Sequence, residues 1–500
     1  MSRRTYIPSA EVFADFLGSA KLIPVCTEII ADLDTPLTLF AKVAAEHSHI
    51  FLFESMEGGE KWGRYSFIGF DPLVTFESRQ NEVRISEVRG ATKTEEQFQA
   101  NPLLAIKILV EELQAAEVAG LPKFCGGAVG FLGYDMVRFM EDLPDSRPLL
   151  DLPDSSFMVP GIVLIHDSFR QTVTVVCWVR VEEGADGERL YADATRRIDE
   201  IIEILKAPVP VQARNSAEGT SAAHVFSTNI DAAQFHAMVE RAKEYILAGD
   251  IIQVVLSQRF HTETDIDPTV LYRALRHINP SPYLFFLKLG DLIQIGSSPE
   301  ILVRKEGQTI ELRPIAGTRK RGLTEQEDRR LEEELLADPK ERAEHLMLVD
   351  LGRNDVGRVA QGGSVEVRDL LVIERYSHVM HIVSGVHGVL EAGRDQFDVL
   401  AACFPAGTVS GAPKIRAMQI IDELEPDRRG PYAGSVGYFG FSGNMDFCIT
   451  IRTFIMQGRN LWIQAGAGIV ADSDPDKEFE ETLNKSMGLR RAVELVEKGF

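Results

Sequence analysis

The apolar positions of this chain follow two periods, one helical and one strand-like. Phe235, Met238, Val239, Ala242 and Ile246 recur at helical spacing. Asp231 opens that run, Gln234 lies three residues after it, and Gly249 ends it, which predicts a capped helix. The nearly continuous apolar run IIQVVLSQRF at 251–260 predicts a buried strand. YLFFLKL (283–289) and LIQIGSS (292–298), joined at Gly290-Asp291, predict a hairpin. Further strands are predicted at His49–Glu54, 171–181, 434–440, 447–455 and 461–465. A charged helix over Glu325–Ala337 is interrupted by Pro339, and a second helix runs to about residue 350. Hairpin-spaced strands with inserted helices predict an α+β fold with mostly antiparallel sheet, not a βαβ nucleotide fold.

One break divides the chain. Residues 207–223, APVPVQARNSAEGTSAA, are rich in Pro, Ala, Ser and Gly and lack periodicity. They predict an N-terminal segment over 1–206, a linker or surface loop over 207–225, and a motif-dense region over 226–500. A length of 500 residues suits two or more domains or one large one.

The net charge of −22 argues against a nucleic-acid partner, and Arg319-Lys320-Arg321 is too short a basic run to reverse this. Five cysteines, Cys26, Cys125, Cys177, Cys403 and Cys448, lie scattered with no CxxC pair, as expected in a reducing cytoplasm. The first twenty residues lack a long apolar core and carry Glu11 and Asp15, so no signal peptide is expected. No run of about eighteen apolar residues predicts a membrane span.

The candidate chemistry concentrates near the C-terminus. FPAGTVSGAPK (404–414) and QAGAGIV (464–470) read as glycine-rich loops that bring backbone N–H groups to an anion. Thr408 and Ser410 add hydroxyls, and RPIAGT (313–318) offers Gly317 and Thr318 in the same style. EFEETLNKS (478–486) puts Glu481 and Lys485 four residues apart on one helix face. Upstream, Glu344 sits beside an apolar face formed by Ala343, Leu346 and Met347 and widened by Leu348 and Val349. A carboxylate so placed is either half-buried and paired or a ligand for a hard cation. Arg452 is a cation in an apolar strand, held by a salt bridge or by a substrate carboxylate. Glu300 is a strand-edge glutamate, or a general acid if apolar surroundings raise its pKa. His381, in the strand-like run 376–386, is a core histidine or a base. Together these residues suit a small dianionic substrate held on Mg²⁺.

From about residue 226 to 495 the chain resembles the chorismate-utilising enzymes, and within them the anthranilate-forming branch. GDIIQVVLSQRF, NPSPYLFF, GSSPEILV, RPIAGTRKRG, ERAEHLMLVDLGRNDVGRV, YSHVMH, FPAGTVSGAPK, RGPYAGSVGYF, DFCITIRT and QAGAGIVADSDP follow one another in the family's order. The resemblance implies a sandwich of large, mostly antiparallel sheets with helices packed outside. It implies ammonia addition at ring carbon 2 of chorismate, loss of the 4-hydroxyl and elimination of pyruvate to give anthranilate, the first committed step of tryptophan biosynthesis. Carried over residue by residue, it makes Glu344 and Glu481 the Mg²⁺ ligands. Gly317, Thr318, Tyr432, Arg452, Gly466, Ala467 and Gly468 become substrate contacts. Glu300 becomes the acid for the departing hydroxyl, Thr408 and His381 lie beside the ring with His381 assisting the elimination, and Lys485 supports the carboxylate and Glu481. Ser55 in LFES, Arg64, and Pro280, Ser281 and Pro282 resemble a feedback site for L-tryptophan.

Two positions separate close relatives. Isochorismate-forming enzymes place a water-activating lysine where this chain has Gln253, and aminodeoxychorismate synthases place a nucleophilic lysine where it has Ala316. Neither Cys125 nor Cys403 has the setting of a glutaminase nucleophile, so the resemblance implies ammonia from a separate glutamine amidotransferase subunit, in a heterotetramer. Two other readings remain at this point: an aminodeoxychorismate synthase component, and a non-catalytic tryptophan sensor. A phosphate-binding loop fails because GTVSGAPK lacks the G-x-x-x-x-G-K-[ST] spacing.

Overall fold

The computed structural model describes residues 4–55, 63–89, 92–210, 224–375 and 379–499. Most of the linker, and Tyr376, Ser377 and His378 of the YSHVMH motif, lie outside the described residues.

Among the described residues, twenty-two strands join in one hydrogen-bonded network. Its central hairpin is the one read from sequence: Tyr283–Leu289 pairs antiparallel with Leu292–Ser298, turning at Gly290 with φ +65°. Alternation along that strand sorts its side chains. Leu284 and Phe286 enter one buried apolar cluster, while Phe285 and Leu287 enter the other. Helices cover both clusters. Ala232–Leu247 packs Phe235, Met238, Val239 and Ala242 into one, and Pro475–Lys498 packs Leu489, Ala492, Val493 and Val496 into the other. Asp231 and Gln234 form the expected capping box.

Strands from both halves of the chain interleave. His49–Glu54 pairs with Tyr283–Leu289, and Gly127–Leu132 pairs with Ser435–Gly440. No helix among the described residues is long and apolar enough to cross a membrane.

The structure corrects four local readings. QAGAGIV is not a loop: Gly466, Ala467 and Gly468 lie in the strand Asn460–Ile469, opposite Ser257, Leu256 and Val255. Three small residues there let neighbouring side chains close over the strand. RPIAGT is likewise mostly the strand Ile315–Lys320, bulged at Gly317. The expected strand over 447–455 breaks into Met445–Ile449 and Thr453–Gln457, with Arg452 in the break at φ +52°. Finally, the helix Pro339–Gly357 buries His345, Leu348, Val349, Gly352 and Val356, so Leu348 and Val349 of the face read from sequence lie inside while Ala343 and Leu346 lie outside. His345 takes the place of an apolar residue on that face, which hid the true phase.

Candidate active site

Two helices bring the acidic residues together. Asp338 caps the first by accepting from the N–H groups of Lys340 and Glu341, with Pro339 at the first helical position. Asp474 caps the C-terminal helix in the same way. Glu344 borders the buried face at its solvent side. Burial of its carboxylate, then the charges of Glu341 and Glu481, raise its pKa, and Lys485 and Lys340 oppose them. Glu344 and Glu481, 137 residues apart in sequence (481 − 344), are therefore close enough to act on each other. Lys485 Nζ lies 2.6 Å from Glu481 Oε1 and donates to the Gly466 carbonyl at 2.9 Å.

Each of these glutamates has a companion that sequence reading passed over. Glu341 precedes Glu344 by one turn, and Glu478 precedes Glu481 by one turn. Burial and then Glu481 raise the Glu478 pKa, against the Ser473 hydrogen bond. The paired i,i+3 spacing was visible in ERAE and EFEE, and it was the available signal. Crowded carboxylates raise one another's proton affinity, and a hard cation relieves the same repulsion. Among the described residues no three His, Cys, Asp or Glu side chains form a closed ligand set. Two glutamates with open positions fit Mg²⁺, which keeps water and substrate oxygens in its shell.

Arg452 lies near Glu481 and Glu300. Its left-handed backbone is unusual for a residue with a long side chain. Its carbonyl accepts from the Ser297 N–H at 3.1 Å. Its guanidinium forms no ion pair or hydrogen bond among the described residues, and so the salt bridge that sequence left open is absent. Burial lowers its pKa, and Tyr432, Glu481 and Glu300 pull the other way. A cation in that position is available for a carboxylate.

Glu300 is buried between Leu292–Ser298 and Ile301–Glu306. Its pKa is pushed up to about 8 by burial, against the lowering effects of the Thr408 hydroxyl, Lys485 and Arg452. That hydroxyl is buried beside it and finds no well-formed hydrogen bond elsewhere. At neutral pH the carboxyl carries a proton.

His381 sits on the strand Val379–Val389, across from Thr318. Its Nδ1 donates to the Gly317 carbonyl at 3.0 Å, and the Thr318 hydroxyl lies 3.1 Å from the same nitrogen. Burial lowers its pKa, partly offset by the Gly317 bond. Tyr432 is also buried, and burial pushes its phenol up to about 12. A Cβ on Gly466 would lie 2.8 Å from the Tyr432 hydroxyl, and one on Gly468 would lie 2.7 Å from Gln253 Nε2. Glycine is required at both positions for these side chains to cross the strand.

The second group of sequence candidates separates. Ser55 and Pro282 line one pocket of about 90 Å³ with Phe53, Tyr65 and Tyr438. The Arg304–Asp446 pair, 2.6 Å apart, lines it too. Arg64 does not line it; its guanidinium pairs with Asp167 at 2.7 Å and lies over the rings of Phe169 and of Tyr65, a lining residue of the pocket, 4.9 Å away. Pro280 and Ser281 do not line the pocket, and the Ser281 hydroxyl donates to the Ser298 carbonyl.

The profile of the chorismate binding enzymes matches residues 49–491. The chain belongs to this family. It is 48% identical over 480 residues to "Anthranilate synthase component 1" of Acetivibrio thermocellus, covering 95% of each chain. It is 49% identical over 478 residues to the protein of that name from Aquifex aeolicus, covering 95% and 96%. Among solved structures, anthranilate synthase component I of Streptococcus pneumoniae superposes with a TM-score of 0.74 at 35% identity, covering 93% of this chain and 99% of that one. The menaquinone-specific isochorismate synthase MenF of Escherichia coli superposes with a TM-score of 0.70 at 20% identity, covering 97% and 99%, which is a likeness of fold. The family match crosses the 207–225 break, in keeping with the interleaved strands.

Proposed function

We propose that this chain is the synthase component of an anthranilate synthase, converting chorismate and ammonia to anthranilate, water and pyruvate. One observation carries the chemistry: the buried Glu300 carboxyl, its pKa raised to about 8, and Arg452, with no carboxylate partner among the described residues, act on each other near Glu481, which in turn acts on Glu344. Near-full-length similarity to components of that name supports the choice of product.

Arg452 binds a substrate carboxylate, with Tyr432 and the strand glycines Gly466 and Gly468 shaping the wall behind it. Glu344 and Glu481 hold Mg²⁺, which when bound neutralises the ring carboxylate and draws electron density from the ring. Ammonia attacks carbon 2, both ring double bonds shift by one bond as the bond from carbon 4 to oxygen breaks, and the 4-hydroxyl leaves with the proton of Glu300 as water. The Glu300 carboxylate formed is stabilised by Lys485, Arg452 and the Thr408 hydroxyl. In the second step the carbon 2 proton is removed as the enolpyruvyl group departs as pyruvate. His381 suits that step, because donating Nδ1–H to the Gly317 carbonyl fixes the neutral tautomer whose basic lone pair is on Nε2. Neither Ala316 nor Gln253 supplies an amine, which favours direct attack by ammonia.

The ammonia comes from a separate glutaminase. Burial pushes all five thiols up, Cys125 and Cys177 to about 12 and Cys26 to about 11, so none is a ready thiolate. The Ser55–Pro282 pocket is the proposed site of L-tryptophan feedback. A heterotetramer in the cytoplasm completes the reading.

The test is fluorescence of anthranilate from the purified chain with chorismate and Mg²⁺. Ammonium salts should support formation and glutamine should not. Formation from glutamine by the single chain, or none from ammonium, would sink the proposal.

A further inference from the structure

The strand pair Thr453–Gln457 and Asn460–Ile469 has two faces. Phe454, Met456, Leu461, Ile463 and Ala465 enter the core beneath the C-terminal helix. Thr453, Ile455, Trp462 and Gln464 point the other way, into a cavity of about 240 Å³ roofed by Leu150 and Leu152. This cavity is separate from the pocket at Ser55, and of the proposed substrate contacts it touches Tyr432 alone.

Its polar groups are incompletely used. Arg259 donates from Nε to Gln464 Oε1 at 3.1 Å and from Nη2 to the Arg428 carbonyl. Its Nη1 has no hydrogen-bond partner, and no carboxylate lies within ion-pair distance, among the described residues. Burial lowers its pKa, with Asp427 the first of the charges that oppose this. Thr450, only 1% exposed, lines the cavity, and its hydroxyl has no hydrogen-bond partner among the described residues. At the rim, Asp151 is already engaged with Arg79 at 2.8 Å. A buried hydroxyl is costly unless it finds a partner, and Arg259, half-buried with Nη1 unpaired, has a donor to spare beside it. Trp462, tilted against His261 at 5.6 Å, adds an aromatic wall. A cavity of roughly 150 Å³ holds benzene, so this one has room for a single ring with a carboxylate.

We propose that this cavity binds a small aromatic monocarboxylate, with its ring on Trp462 and its carboxylate on Arg259 and Thr450. Tyr432 closes the inner end, so an occupant presses on a wall of the substrate cleft from behind. That coupling, unlike the binding itself, rests on the proposed function.

The experiment is fluorine NMR of the full chain with 4-fluorobenzoate as probe. Two bound environments are expected. Saturating chorismate with Mg²⁺, in the absence of ammonia, should displace one of them. The chorismate-resistant signal should persist in Arg452→Gln and vanish in Arg259→Gln. Thr450→Val, which keeps the side-chain shape, should weaken its binding about tenfold and guards against misfolding of the arginine variant. Displacement of all bound probe by chorismate, or a resistant signal unchanged in both Arg259→Gln and Thr450→Val, overturns the proposal. If chorismate displaces neither signal while one still depends on Arg259, the cavity stands and the substrate reading fails.

Discussion

The Gly317 carbonyl accepts the Nδ1 proton of His381 at 3.0 Å because the strand register slips at that glycine, whose φ is +65°. The bulge turns a backbone acceptor toward the ring and fixes its tautomer. A Cβ at Gly317 would come within 3.1 Å of Leu335 and 3.2 Å of Glu341 and Ile382. Gly317→Ala is expected to cost about 1 kcal/mol or more of stability from the left-handed backbone. It should also lower ammonia-dependent turnover by about tenfold or more as His381 loses its orientation. Melting curves and steady-state rates check both. Unchanged turnover would remove His381 from the chemistry.

Glu300 makes the pH dependence explicit. Its pKa in the fold is about 8, above the ordinary glutamate value of 4.5, so the folded chain holds the proton more tightly than the unfolded one. Between those two values the unfolded chain has lost a proton that the folded chain keeps, and stability falls as pH rises. Turnover, corrected for free ammonia, should fall as pH passes the upper value. Glu300→Gln is expected to lower turnover by about 100-fold or more and to make the chain more resistant to heat than wild type at pH above the upper value. A variant with wild-type rates contradicts the assignment of the acid.

Arg452 combines backbone strain with an unused charge. Asparagine tolerates its left-handed backbone better. Arg452→Asn should therefore hold or gain stability by about 1 kcal/mol, while the KM for chorismate rises by roughly 30-fold or more, in line with losing a charged contact worth about 2–5 kcal/mol. Calorimetry and initial rates measure the two effects separately. A large loss of stability with unchanged KM would assign Arg452 to the fold instead.

Ser55 and Pro282 line one pocket that is distinct from the Glu344–Glu481 cleft. Ser55→Leu is expected to raise the tryptophan concentration needed for half inhibition by at least about fivefold, the low end of typical coupling between sites. Ammonia-dependent turnover should be largely unchanged. Inhibition curves with ammonium as nitrogen source decide it, and identical curves would place the feedback site elsewhere.

The strands and helices with clean periodicity were legible in the sequence, because one face of each is buried and the pattern reports it. The hairpin at Gly290 and the capped helix after Asp231 are examples. Legibility failed where side-chain identity works against the pattern. The GAG run of 466–468 looked like a loop because its small residues make room for Tyr432 and Gln253 within a strand. Arg452 looked like part of a strand because nothing local announces a left-handed residue that is not glycine. His345 is buried against Ser384, 2.6 Å away, and so disguised the inner face of the Glu344 helix. Arg64 pairs with Asp167, 103 residues on, a long-range choice that sequence spacing does not encode.

Manganese substitutes for magnesium and reports its own binding by electron paramagnetic resonance, which makes the shared cleft directly measurable. In the presence of chorismate and without ammonia, wild-type chain should bind one Mn²⁺, and Glu344→Gln and Glu481→Gln should each lose it while remaining folded. Undiminished binding in both variants would show that these two glutamates do not hold the ion.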